Sequence, residues 1–305
     1  MTHRDDRLAR EGLVDRDRML SRLVELVRVP SVGGEEDAAV QRVADWLHTV
    51  PGVEVDLWHL DQASLQGLPD YPGHEVARAT VPVVAARLRG ARPGPAVLLT
   101  GHIDVVPPGD LSAWTHEPFS GLVLGDHVCG RGTCDMKSGI VTGLEVLEAF
   151  AHDHDFPGQI IFIAVPGEED GGVGTFSAIK RGWSADVAIV PEPTSDRGEP
   201  RLVVAHAGNL IVNIQVPGRS AHASTRTSGE NALDHYLVIH EALRAHEREI
   251  NEAEDDPLMK MHDLPYATNV GVVRGGAFPS SVMDCLSVDV RAGITLGETV
   301  AEAEA

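Results

Sequence analysis

Leu20, Leu23, Val24, Leu26 and Val27 recur at helical spacing within residues 13–29, and Pro30 ends the run, so a helix is predicted there. Val40, Val43, Ala44 and Leu47 share one face of a second predicted helix over residues 35–49. Residues 53–57 alternate as a strand does, the pattern weakens from there to Arg87, and residues 62–75 read as a polar loop punctuated by Pro and Gly. Three short apolar runs follow at 96–100 (AVLLT), 159–165 (QIIFIAV) and 186–190 (DVAIV). Rich in β-branched residues, they fit strands buried on both faces, as in a parallel sheet. Ile140, Val141, Leu144 and Leu147 mark a helix over residues 136–149 between the first two runs, and residues 175–181 give another between the last two. Strands alternating with helices predict an α/β layered fold with right-handed crossovers.

Near Arg201 the pattern changes. Residues 202–205 and 209–216 read as partly alternating strands, 231–252 as a long amphipathic helix, 268–274 and 286–291 as strands, and Glu298 as the start of another helix. A smaller α+β domain over residues 204–305 is therefore expected to follow a larger one over residues 1–203. No internal repeat or low-complexity tract interrupts either.

The 305 residues suffice for two domains with their own cores. Against 25 Lys and Arg stand 46 Asp and Glu, and the net charge of −21 argues against nucleic acid or an anionic membrane as partner, since either needs a basic footprint. A 43% hydrophobic fraction with both charge signs interspersed excludes general disorder, and no apolar run approaches the roughly 20 residues of a membrane span. Residues 1–18 are highly charged without an apolar core, which predicts no secretion signal. Cys129, Cys134 and Cys285, an odd count, then predict reduced thiols in a cytoplasm.

Ligands in open α/β sheets bind beyond the carboxyl ends of the strands. The first buried run ends in Thr100-Gly-His-Ile-Asp104, the second in Pro166-Gly-Glu-Glu-Asp170 and the third in Pro191-Glu-Pro-Thr194. Three strand ends thus deliver His102, the pair Glu168 and Glu169, and Glu192 to one rim, and Asp135 lies where residues 130–134 turn into the next helix. Carboxylates so gathered repel one another unless a cation holds them, and one imidazole with several carboxylates is a ligand set for Zn²⁺, Co²⁺ or Mn²⁺. Taken singly, each residue has a plainer role: His102 a satisfied polar group, Asp135 a helix cap, the glutamates solvated turns. Residues 171–175 (GGVGT) lack the Gly-Lys-Ser/Thr ending of a phosphate loop and follow three acids, so their glycines are read as a tight turn into a helix. Cys129 and Cys134 have the wrong spacing for a zinc knuckle and are read as small buried residues or free thiols. No Gly-x-Ser-x-Gly elbow and no His-Glu-x-x-His helix is present.

In order along the chain, Thr100-Gly-His-Ile-Asp-Val-Val-Pro107, Gly130-Arg-Gly-Thr-Cys-Asp-Met-Lys137, Gly167-Glu-Glu-Asp170, Val190-Pro-Glu-Pro-Thr194 and Gly218-Arg-Ser-Ala-His222 resemble the motifs of the M20 family of metallopeptidases and deacylases. Its acetylornithine deacetylase and succinyl-diaminopimelate desuccinylase branches are the nearest in these motifs, and the resemblance runs from about Leu20 onward. It implies a zinc-peptidase-like mixed sheet with helices on both faces, carrying two divalent metal ions, plus a smaller α+β lid that dimerises. By motif, His102 binds one metal, Asp135 bridges both, Glu192 completes the first and Glu169 serves the second. Glu168 is then the general base, Asp104 orients His102, and His222 of the lid donates to the oxyanion across a homodimer interface. Asn269 and Arg291 sit where the family binds a substrate carboxylate. The implied reaction is hydrolysis of an amide in a small N-acyl amino acid or peptide.

Ser138 stands where many members carry Gly, and His206-Ala-Gly208 lacks the commoner basic residue before its glycine. The family also returns from the lid to its catalytic domain and there supplies a last His to the second metal, whereas Ala305 falls within the second lid helix. Both domains are therefore expected to be incomplete, without that His. Two readings follow: an amide hydrolase, or a truncated, catalytically impaired member acting only as a binding or dimerising protein.

Overall fold

The computed structural model describes residues 14–152, 154–194, 201–203 and 206–304. The chain divides into two compact units, Met1–Glu199 and Pro200–Ala305.

In the first unit the elements run α1 (Arg16–Val27), α2 (Asp37–Leu47), β1 (Val53–Asp61), α3 (Gln62–Gln66), β2 (Thr80–Arg89), β3 (Arg92–His102), β4 (Leu122–Leu124), β5 (His127–Cys129), α4 (Ser138–Ala151), β6 (Pro157–Val165), α5 (Val173–Lys180) and β7 (Val187–Ile189). Five strands form one mixed sheet in the order β1-β2-β6-β3-β7. The pairs β1/β2 and β2/β6 are antiparallel, whereas β3 runs parallel to both β6 and β7.

The two-residue period of the central strands splits the core between the faces. Val84, Ala86 and Leu88 of β2 and Ile160, Phe162 and Ala164 of β6 pack with Leu26 of α1, Val40, Val43 and Leu47 of α2, and Ile140, Leu144 and Leu147 of α4. Their neighbours Val81, Val83, Ala85, Ile161, Ile163 and Val165 point the other way, onto Leu65 of α3 and Val173, Phe176 and Ala178 of α5. Helices thus cover both faces, as the resemblance implies. Buried Glu145 of α4 joins α1 to this layer by accepting from Arg18 and Arg22.

The second unit holds β8 (Gly208–Pro217), α6 (Ala232–Ala253), β9 (Thr268–Gly275), β10 (Cys285–Ile294) and α7 (Val300–Ala303). Its three-stranded antiparallel sheet has the order β8-β10-β9. Val216, Leu286, Val288 and Val290 face Ala232, Tyr236, Ile239 and Leu243 of α6, whose first turn Asn231 caps by accepting the Leu233 N–H at 3.0 Å.

Several expectations need correction. Residues 62–66 of the predicted loop form α3, started by Asp61 accepting the Ala63 N–H. Strand β2 fills the region where the pattern weakened, and the hairpin β4/β5 turns at Gly125-Asp126, with Gly125 at φ +56°. The run at 186–190 is not buried on both faces: β7 is the sheet's last strand, and Val187, Ile189 and Val190 are 54%, 48% and 50% exposed. Leu202 and Val203 lie in no strand, and Leu13, Val204 and Ala205 fall outside the described residues. Of the two readings of Cys129 and Cys134, free thiols holds: Cys134 is exposed, Cys129 is half-buried, and Cys285 is likewise a free, exposed thiol. Among the described residues no helix is long and apolar enough to cross a membrane.

Candidate metal centre

Because β3, β6 and β7 are parallel, their carboxyl ends lie along one edge of the sheet. The chain leaves β3 through α4 to β6 on one side, then crosses to β7 on the other, so the strand order reverses at β3. A crevice beyond such a reversal is where open α/β sheets hold ligands.

His102, the last residue of β3, is 2% exposed. Its Nδ1 donates to the backbone oxygen of Asp104 at 2.8 Å and lies 3.6 Å from Asp104 Oδ1, which leaves Nε2 to face the edge. There Nε2 is 3.0 Å from Asp135 Oδ1 and 3.5 Å from Glu192 Oε1. One donor atom from each of the three lies within 4.8 Å of the other two.

Asp135 reaches this position from a wide turn, Thr133–Lys137, in which Asp135 and Met136 leave helical dihedrals, and a cis peptide joins the two residues. It is therefore not the helix cap of its plainer reading; Lys137 occupies the N-cap position of α4. Glu192 follows β7 between Pro191 and Pro193 and is half-buried.

Glu168 and Glu169 stand on the turn after β6. Asp104, 1% exposed, accepts the Glu168 N–H at Oδ1 (3.2 Å) and the Glu169 N–H at Oδ2 (3.1 Å). One carboxylate thus touches both the His102 ring and the backbone of the two-glutamate turn. Gly172, at φ +87°, then leads into α5, the tight entry expected of those glycines.

The electrostatics are those of a site short of positive charge. Burial works against an imidazolium at His102, but Asp104 and then Glu192 outweigh it and push the pKa up to about 10. Burial raises Glu192 to about 7, with Asp135 and Glu168 adding to it against His102. Burial also lifts Glu168 and Glu169, and the charge on Asp135 lifts Glu169 further. Asp104 goes the other way: burial opposes its charge, yet its bonds to His102 and to the turn amides hold it below the usual carboxylate range. One imidazole nitrogen and two carboxylate oxygens converging on a common point fit a divalent cation of zinc's borderline character.

The structure therefore brings His102, Asp135 and Glu192 together, with Asp104 behind them and Glu168 and Glu169 on the adjoining turn. The remaining candidates belong to the second unit. His222 is exposed, and its Nδ1 accepts the Ser224 N–H at 3.2 Å. Asn269 of β9 and Arg291 of β10 are direct register partners, and Arg291 lines a concavity with His206, Asn209 and His262.

Two supporting residues escaped the sequence reading. Met136 Sδ accepts the backbone N–H of His102 at 3.2 Å. Lys137, fully buried, donates from Nζ to the carbonyls of Leu26 (3.0 Å) and Val29 (2.8 Å), and burial pushes its pKa down to about 8. Both follow Asp135 directly, but only their partners reveal the role, and Leu26 is 111 residues away.

Comparisons with known proteins place the chain in a family. A succinyl-diaminopimelate desuccinylase of Methylorubrum extorquens is 36% identical over 229 residues, covering 72% of this chain and 55% of that protein. The chain thus spans about half the length of the curated relatives it matches. An M20 family metallo-carboxypeptidase from Sulfolobus solfataricus superposes with a TM-score of 0.70 at 18% identity, covering 94% of this chain and 74% of that one. A di-peptidase from Saccharomyces cerevisiae gives 0.68 at 16% identity over 96% and 73% of the respective chains. At such identities these two establish the fold alone. The profile of Peptidase family M20/M25/M40 matches residues 98–284, a stretch that opens in β3, takes in the whole cluster at the sheet edge and ends just before β10, and this chain belongs to that family.

Proposed function

We propose that the protein carrying this chain is a metal-dependent hydrolase that cleaves the amide bond of a small N-acyl amino acid or peptide. The observation that carries the reading is the convergence of His102, Asp135 and Glu192 beside a turn that bears Glu168. His102, Asp135 and Glu192 would hold one divalent cation, and Asp135 with Glu169 a second. The donor set suits zinc, with cobalt and manganese compatible. When bound, such cations supply Lewis acidity, making water nucleophilic at neutral pH and polarising the scissile carbonyl.

The chain's own residues supply the remainder. Glu168 takes the proton of the attacking water and returns it to the departing amine, a role suited to a carboxyl whose pKa burial raises. Asp104 fixes the tautomer of His102, so that Nε2 offers a lone pair to the cation. By the resemblance, His222 of the second unit would donate to the oxyanion across a homodimer interface, and Asn269 and Arg291 would bind a carboxylate of the substrate. The desuccinylase relatives make a succinylated amino acid the first substrate to try.

The protein works as a homodimer through its second unit, a reading supported by Leu233, Leu237 and Val238 of α6, which are 40%, 51% and 69% exposed. Its setting is a reducing cytoplasm, in keeping with three free thiols.

The test is Glu168→Gln, assayed with N-succinyl-diaminopimelate and N-acetylornithine. The expected result is a loss of about 10²–10⁴ in kcat with metal content unchanged. Loss of metal in this variant would exchange the roles of Glu168 and Glu169, and retained turnover would remove Glu168 as the base.

A further inference from the structure

Arg78 lies just before β2, far in sequence from every residue of the metal centre, and its guanidinium is among the most enclosed charges in the molecule. The side chains of Arg78 and Glu36 are each 1% exposed, and they meet through Nη2 and Oε1 at 2.6 Å. From the other end Nη1 reaches Asp170 Oδ2 at 2.7 Å. Asp170 is 7% exposed and immediately follows Glu168 and Glu169.

The rest of the contact ties the same two segments together. Asp170 Oδ2 accepts the Val76 N–H at 3.0 Å, and the Asp170 carbonyl accepts the Glu75 N–H at 3.2 Å. Gln62 Oε1 accepts the Arg78 N–H at 2.5 Å, fixing the backbone from which the guanidinium projects. Gly167, at φ +68°, sits directly over this group: a Cβ there would come within 3.2 Å of Arg78 Cζ. Asp170 Oδ1 is buried and finds no donor among the described residues. The carboxylate therefore depends on Arg78 for its countercharge, and a buried charge without one is strongly unfavourable.

The turn that presents Glu168 and Glu169 is thus gripped on two sides. Asp104 holds the two glutamate amides from the side of His102, and the guanidinium holds Asp170 from the side of α2 and β2. We infer that Arg78, anchored by Glu36, is a positioning residue that acts through Asp170 to set where the Glu168 carboxylate stands relative to the metal centre. This rests on the proposed role of Glu168 as base. A lysine in its place keeps the charge but not the planar fork that spans two carboxylates, so the turn loosens on one side while the fold keeps its charge balance.

The experiment compares the parent protein with Arg78→Lys in two readouts. In the metal-free protein, amide hydrogen exchange at Glu168 and Glu169 should quicken about tenfold or more while Ile161 and Ile163 of β6 keep their protection. In the zinc-loaded protein, kcat on N-succinyl-diaminopimelate should fall about tenfold to a hundredfold at unchanged KM and zinc content. Unchanged exchange at Glu168 and Glu169 overturns the inference, as does acceleration spread equally over β6, which marks general destabilisation. Unchanged kcat per folded chain overturns it too. Glu168→Gln run in parallel separates the two claims: if that variant keeps its kcat the base is misassigned, while the exchange readout still decides whether Arg78 holds the turn.

Discussion

A cation entering the candidate metal centre would displace protons from His102 and Glu192, whose pKa values are pushed up to about 10 and about 7. Metal affinity should therefore rise with pH, by about tenfold per unit between pH 7 and 10, where one proton is released from His102. Calorimetric titration with zinc in two buffers of different ionisation enthalpy measures that proton directly; release of none would contradict the prediction. Stability follows the same linkage. Both groups are raised above their ordinary values of 6.5 and 4.5, so the metal-free native state holds more protons than the unfolded chain. Its stability should fall as pH rises through about 7 and on through about 10, and bound zinc should remove the dependence. Asp104, held low, contributes in the opposite sense and only in acid, below its ordinary 3.8. Asp104→Asn should weaken zinc binding about 10- to 100-fold, measured against a chromophoric chelator. At this scale, His102 and Glu192 were legible in the sequence because each stands two residues past the end of an apolar run. Arg78 and Lys137 were not, because their roles are defined by partners such as Asp170 and Leu26, which no local pattern connects to them.

Among the elements, β6 bears the most on the fold, since its alternate residues serve two different cores. Phe162, 1% exposed, lies between α4 and the sheet and packs close to Gly143. Phe162→Ala should cost about 3–5 kcal/mol in denaturant unfolding, against about 0.5 kcal/mol or less for Ile189→Ala in exposed β7. Continuous apolar strands such as β6 were readable; β2 was not, because Pro82 interrupts an otherwise suitable run of valines. The ladder explains why the proline is tolerated: Pro82 pairs only with His59 of β1, and pairing with β6 starts at Val84. The β4/β5 hairpin had its signal in Gly125-Asp126, but two three-residue strands are too short to show a period.

For the whole molecule, each unit has its own buried cluster and should unfold as its own cooperative step. The three converging ligand candidates all lie in the first unit. Free zinc at 1,000 times its Kd should then add about 4 kcal/mol to that unit alone. In scanning calorimetry one transition should move on chelation and the other should stay; movement of both would contradict this. The exposed strand β7 carries a practical consequence. Among the described residues its outer edge pairs with no further strand, and it carries Val187, Ile189 and Val190 with no lysine among them to discourage strand addition. The −21 charge keeps molecules apart at low ionic strength, but salt screens that repulsion. Concentrated stocks of this chain should therefore cloud as salt is raised, and a single Ile189→Lys change should keep them clear.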